Sequence, residues 1–485
     1  MADESLCRLD ALELSRTLHR REASCRELMV ASLARIGRLN PRFNAIVSMR
    51  DEPALLAEAD RCDAELARGE SRGWMHGFPQ AIKDLAPTRG VRTTFGSPLF
   101  RDFVPEADGL VVERIRAAGG IVIGKTNVPE WGLGSQSYNT VFGVTRNAYD
   151  PTRTCGGSSG GAAVALALRL LPVADGSDMG GSLRNPAAWG NVFGLRPSRG
   201  RVPMWPAEDA FFAQLGIEGP MARTVPDLAA LLRTLSGPDP RAPLALDADP
   251  AVFGEALESD VGGTRVGWLG DLGGHLATEP GVLELCESAL RDLAGVGCVV
   301  EPLALGFDPE RIWRAFMTLR AMGMAGRFEA LRSDPAKWAM LKPEAQWEVE
   351  QGAGVGAIDV HRASVSRTAW YQHVRGLLDR FDVLALPVTQ VFPFDAGQHW
   401  PAEIAGRRMD SYHRWMEVVA GPTMAGLPAI SVPAGFDARG LPMGLQLVGR
   451  PNGELALLRI ARAYELATQW VQRRPPPATL TGDAA

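Results

Sequence analysis

The run Gly156-Gly157-Ser158-Ser159-Gly160-Gly161 limits what this chain can fold into more than any other stretch, together with Asp178-Met179-Gly180-Gly181-Ser182 downstream. Glycine gives up more backbone entropy on folding than any other residue and adds nothing to a core. Two glycine frames 24 positions apart, each holding a serine, therefore imply backbone that bends sharply or closely approaches a ligand. A serine in such a frame has its hydroxyl presented, with several backbone N–H groups close by. A serine nucleophile and its oxyanion hole require that combination.

A lysine supplies the third element. Of the 51 basic residues only four are lysines, Lys83, Lys125, Lys337 and Lys342. Where charge alone is wanted this chain uses arginine, which cannot lose its proton, whereas a buried lysine can become a base. Lys83 lies in Phe78-Pro79-Gln80-Ala81-Ile82-Lys83-Asp84-Leu85, which reads as a short buried strand carrying one charge. Alone, it would be read as a partner of Asp84 at a strand end. Beside two framed serines it becomes a candidate general base.

Bulk properties narrow the function. At 46% hydrophobic and 22% charged residues the 485-residue chain has ample core for a soluble enzyme. A net charge of −5 without any Lys/Arg block argues against nucleic acid or an anionic membrane as partner. The start, Met1-Ala2-Asp3-Glu4-Ser5, is acidic rather than apolar, and the run Ala162 to Leu168 is too short to span a bilayer. Six scattered cysteines with no CxxC pair read as free thiols, which suits a cytoplasmic protein. Seven histidines with no HExxH spacing give no reason to expect a metal.

Apolar periodicity predicts helices over Leu9 to Arg20 and Cys25 to Leu39, the second capped by Ser24. It predicts a strand at Asn44 to Ser48, a helix over 52–68 and alternating short strands and helices up to about 235, an α/β layered pattern. Residues 237–262, rich in Pro, Asp and Ala, read as a surface excursion. Strands at Arg265 to Leu269 and Cys298 to Leu303 flank a helix at Pro280 to Ala294. Residues 308–381 read as wholly helical and carry Trp313, Phe316, Trp338, Trp347, Trp370 and Tyr371, which either wall a pocket or fill a core. Strands return at Val383 to Leu386, Ala429 to Pro433 and Gly444 to Val448, then a helix at Glu454 to Glu465. The Pro-rich tail, about 475–485, reads as loose. With no repeat and no clear linker, the expectation is one domain over 1–485, with a signature core at about 75–235 and a helical insertion at about 308–381.

Two motif matches are weighed and set aside. Gly119 to Thr126 fits GxxxxGK[ST], but its middle residues, Gly-Ile-Val-Ile, read as a strand, and Val128-Pro129 stands where a helix should open. Gly157 to Gly161 fits GxSxG with Ser159 as nucleophile, but no acid and histidine can be singled out to complete an α/β-hydrolase-type esterase.

Lys83, Ser158 and Ser182 at this spacing resemble the amidase signature family. The resemblance continues through Gly124-Lys125-Thr126-Asn127-Val128-Pro129-Glu130, Gly143-Val144-Thr145-Arg146-Asn147 and Gly180-Gly181-Ser182-Leu183-Arg184-Asn185-Pro186-Ala187. It extends to Gly219-Pro220-Met221-Ala222-Arg223-Thr224-Val225, Gly426-Leu427-Pro428-Ala429-Ile430-Ser431-Val432-Pro433 and Gly440-Leu441-Pro442-Met443-Gly444-Leu445-Gln446. The resemblance implies an α/β fold, a large twisted mixed β-sheet flanked by helices on both faces. It implies Ser182 as nucleophile, Ser158 as a bridging serine after a cis peptide, and Lys83 as base. The oxyanion hole falls on the N–H groups of Met179, Gly180, Gly181 and Ser182. Ser159 and Asp178 take supporting places, and Arg184 stands where the family often has an arginine near the site.

The activity implied is hydrolysis of the C–N bond of a small aryl or alkyl amide without metal or cofactor, with esters and carbamates as further substrates and a homodimer compatible. For Lys83 to act as base its pKa must fall from about 10.4 to near 7, which requires burial. The alternative is an amidotransferase subunit working with a partner. The tyrosine- and arginine-bearing segment of such subunits has no counterpart between 300 and 365, which favours the independent enzyme. Met179 stands where the family usually has threonine, a change of pocket polarity rather than of backbone donors.

Overall fold

Serine, aspartate and asparagine caps set the N-terminal layer of the protein. The computed structural model describes residues 4–480, so Met1 to Asp3 of the acidic start and 481–485 of the expected tail lie outside the described residues. Ser24 Oγ accepts from Glu27 N at 3.0 Å while the Glu27 carboxylate accepts from Ser24 N at 2.8 Å, a reciprocal cap that opens the helix Cys25–Phe43. That helix runs past Leu39 because Pro41 lies in its last turn, where a proline leaves one carbonyl unpaired without stopping the helix. Asn44, at φ 52°, then ends it. Asp51 caps Glu52–Ala67 through Ala54 N. The strand expected at 44–48 shortens to Ile46–Val47 and pairs with Ile121–Thr126.

An eight-stranded mixed sheet organises the rest. Its order is Val299–Pro302, Arg265–Trp268, Val383–Pro387, Pro442–Val448, Ala429–Phe436, Phe193–Arg196, Ile217–Ala222 and Val173–Asp178. The first three strands run parallel and the later pairings are antiparallel. The central strands are apolar on both faces, so alternate residues feed two cores. Val383 and Ala385 join one core with Ile430 and Leu445, beneath the helix Val282–Gly295. Leu384 and Leu386 join the other with Ala188 and Trp189 of the helix Arg184–Gly190. Helices thus cover both faces.

Beside the edge strand Val173–Asp178 lies a three-stranded sheet in which Pro79–Lys83 runs parallel to Ile121–Thr126. The phosphate-loop look-alike is therefore strand, and buried Lys125 donates to Ala86 O and Thr88 Oγ1, both at 2.6 Å. No helix opens after it, only a single 3-10 turn, Glu130–Gly132.

The region 308–381 is helical as expected, with Pro309–Phe328, Pro335–Met340, Pro343–Ala353 and Ala357–Leu378. Its Trp313, Phe316 and Trp370 lie in the second core. Residues 237–262 hold one short 3-10 helix, Pro250–Gly254. The tail departs from expectation in part, because Pro477–Leu480 forms a helical turn. Among the described residues no helix is long and apolar enough to cross a membrane.

Candidate active site

Lys83 ends the fully buried strand Pro79–Lys83 and is only 1% exposed. Its N–H donates to both Asp175 carboxylate oxygens, at 3.1 and 3.2 Å, which ties the small sheet to the edge of the large one. Asp84, the partner first suggested by sequence, instead accepts from Thr94 Oγ1 at 2.6 Å. The Lys83 amine meets three groups: Ser158 Oγ at 2.9 Å, Ser159 Oγ at 2.7 Å and the Ser177 carbonyl at 3.2 Å. A neutral amine has two N–H donors and one lone pair. All three groups can accept from Lys83, but Ser159 Oγ itself donates to Ser177 O at 3.3 Å, so in a neutral amine the lone pair would fall to the Ser158 hydroxyl. Burial pushes the Lys83 pKa down to about 7, against the upward pull of Asp175, Asp178 and Glu218.

The first glycine frame holds the two hydroxyls there. The Gly157–Ser158 peptide is cis, and Ser135 Oγ donates to Gly157 O at 2.6 Å. Ser159 immediately precedes the helix Gly160–Ala167 without a side-chain capping bond, and its N–H donates to Ser182 O at 3.2 Å, joining the two frames. Glycine is needed at 161 because a Cβ there would stand 2.4 Å from Asn127 N and 2.5 Å from Ala45 O. Ser159 Oγ faces Lys83 and no histidine lines the cavity, so the α/β-hydrolase elbow does not form.

Asp178 shapes the second frame. Its carboxylate accepts from Gly181 N at 2.9 Å and Leu183 N at 3.1 Å, closing the turn that carries Ser182. Arg184 grips it twice, from Nε at 3.0 Å and Nη2 at 2.9 Å, and Arg196 Nη1 adds a contact at 3.2 Å. Although burial opposes ionisation, Arg184 and Arg196 hold this carboxyl well below the usual aspartate range. Arg184 is buried and also donates to Thr423 Oγ1 at 2.9 Å and to Gln446. It braces the turn and does not line the cavity.

The turn leaves the four expected oxyanion donors in different states. Gly181 N–H is engaged by Asp178, whereas the N–H groups of Met179, Gly180 and Ser182 have no acceptor among the described residues. All three of those residues line a cavity of ≈ 190 Å³ that also contains Lys83 and Ser158. Ser182 is 8% exposed, and its hydroxyl opens onto this space without a hydrogen-bond partner among the described residues. No direct bond links it to Ser158 in this resting arrangement.

Sequence reasoning missed several groups here. Asp175 and Glu218 line the cavity on adjacent strands. From the helical insertion come Arg320, Met324 and Arg327, while none of its tryptophans reaches the cavity. Arg320 Nε donates to Glu348 at 2.6 Å, and Nη1 contacts Met179 Sδ at 3.1 Å. Two groups of possible metal ligands, Cys62 with Glu65 and His76, and His275 with Glu310 and Glu417, lie outside this cavity. In each an arginine occupies the carboxylates, Arg72 in the first and Arg414 in the second.

Comparison with known proteins places the chain in a family. A family model described as Amidase matches residues 27–458. The chain belongs to the amidase signature family. It is 35% identical over 484 residues to a glutamyl-tRNA(Gln) amidotransferase subunit from Thermosynechococcus vestitus, covering 96% of this chain and 98% of that one. Among solved structures, a bacterial aryl acylamidase of the amidase signature enzymes superposes with a TM-score of 0.91 at 28% identity, over 97% of this chain and 98% of its own. A glutamyl-tRNA(Gln) amidotransferase subunit from Thermotoga maritima superposes with a TM-score of 0.74 at 27% identity, over 96% of each chain.

Proposed function

We propose that this amidase signature enzyme breaks the C–N bond of a small carboxylic amide through an acyl-enzyme on Ser182. The neutral Lys83 amine takes the Ser158 proton as Ser158 takes that of Ser182, and Ser182 Oγ attacks the carbonyl carbon. The N–H groups of Met179, Gly180 and Ser182 stabilise the oxyanion. The proton then returns through Ser158 to the departing nitrogen, and the amine leaves. Water attacks the ester by the same route and releases the acid, restoring Ser182. The observation that carries this reading is the burial of Lys83 with its amine 2.9 Å from Ser158 Oγ, a burial that pushes its pKa down to about 7. The step from Ser158 to Ser182 closes when substrate fills the cavity, as catalytic hydrogen bonds do in many empty sites.

Two uses of this chemistry are supported by different observations. The curated relatives favour the first, an amidase subunit that frees ammonia from an amide for a partner in glutamyl-tRNA(Gln) amidotransferase. The close superposition on an aryl acylamidase, and the apolar lining from Trp131, Met179, Met204, Met324 and Met416, favour an enzyme that hydrolyses aryl or alkyl amides alone. A panel of aryl, aliphatic and amino-acid amides, esters and carbamates separates them, with Ser182→Ala as control. Turnover of aryl or alkyl amides by the isolated chain supports the hydrolase. Ammonia release from glutamine that depends on a co-purifying partner supports the amidotransferase role. Turnover that survives Ser182→Ala refutes both.

A further inference from the structure

Antiparallel pairing sets Glu218 directly opposite Ser177, so the two side chains share one face of the sheet, as does Asp175 two residues before Ser177. Glu218 lines the cavity with Lys83, Ser158 and Ser182. It differs from every other acid near the site. Asp175 takes the Lys83 N–H, Asp84 takes Thr94, Asp178 takes two N–H groups and two guanidiniums, and Glu348 takes Arg320 and Tyr412. No hydrogen bond or ion pair is formed by the Glu218 carboxyl among the described residues. Glu218 is half-buried, and its unpaired carboxyl belongs to the wall of the space read here as the substrate site.

We propose that Glu218 recognises a cationic nitrogen of the substrate, a protonated amine separated by an apolar chain from the amide that Ser182 attacks. The inference rests on the reading of this cavity as the substrate site. Burial and the neighbouring Asp175 push the Glu218 pKa up to about 8, against Lys83 and Arg114. A cation docked beside the carboxyl would favour its ionised form. An anionic group would meet Asp175 on the same face. The arginines of the cavity, Arg320 and Arg327, come from a different wall, the helix Pro309–Phe328, and Arg320 is committed to Glu348. The remaining lining, with Met179, Met204, Met324 and Met416, suits the apolar spacer.

Calorimetric titration of the full chain with pentylammonium and with 1-pentanol tests this without requiring turnover. Pentylammonium should bind the wild type about tenfold or more tightly than the alcohol, the scale of one charge-assisted hydrogen bond. In Glu218→Gln, which removes the charge but no existing bond, the preference should fall to about twofold or less. Glu218→Asp should keep part of it, because the charge remains. Failure of the ammonium to bind the wild type, or an undiminished preference in Glu218→Gln, overturns the proposal. Ser182→Ala should bind pentylammonium like the wild type. If that variant still hydrolysed amides while the preference held, the reaction reading would fall and this inference would stand.

Discussion

Replacing Lys83 with methionine separates the cost of keeping an amine neutral from the rest of its role. In the fold the Lys83 pKa is about 7, against an ordinary value of 10.5. Between those limits the unfolded chain holds a proton that the folded protein lacks, so stability rises with pH across the window from about 7 to 10.5. At about 1.4 kcal/mol for each pH unit, less the partial titration at either end, the wild type should gain about 3.5 kcal/mol between pH 7 and pH 10 from this one group. Lys83→Met has no such proton to lose. Contributions shared by the two proteins cancel, so urea unfolding of both across that range reads the difference directly. The variant should also be inactive, because Ser158 loses its proton acceptor. In the wild type kcat/KM should rise with pH through about 7. If the two stability curves run parallel from pH 7 to 10, the lysine is charged in the fold and the proposed base does not exist.

The turn that carries Ser182 supplies two more tests. Asp178→Asn would leave Arg184 and Arg196 facing each other without their shared carboxylate, and should lower stability by about 3–5 kcal/mol in urea melts. Gly181→Ala would place a methyl group 2.6 Å from Asn185 Oδ1 at a residue with φ +91°. It should cost about 1–3 kcal/mol and lower kcat more than it changes KM, since it disturbs the oxyanion donors more than the pocket walls.

The parts of the site that sequence revealed were those with an unusual local signature. Ser158 and Ser182 stood in glycine frames, and Lys83 was a rare lysine in a chain that otherwise writes arginine. Asp178 could be placed beside the nucleophile because it begins the same motif, but its second arginine, Arg196, lies across a strand pairing that no local pattern encodes. Asp175 and Glu218 look like ordinary strand residues until the ladder from Val173–Asp178 to Ile217–Ala222 sets them near Lys83. Gly181 was grouped with the oxyanion donors because the motif cannot say which N–H its own aspartate will claim. Helices and buried strands are legible from periodicity, while ends such as Phe43 are not, because the apolar period stops at Leu39 before the helix does. The insertion tryptophans show the limit of composition, since aromatic content alone does not tell a wall from a core.

A serine exposed by only 8% in the wall of a ≈ 190 Å³ chamber works as a sieve. Folded polypeptides and nucleic acids are barred by bulk from touching it, whatever their chemistry. On the proposed chemistry, only a compact acyl group would reach Ser182, and anything larger would be served through the small amine or ammonia released.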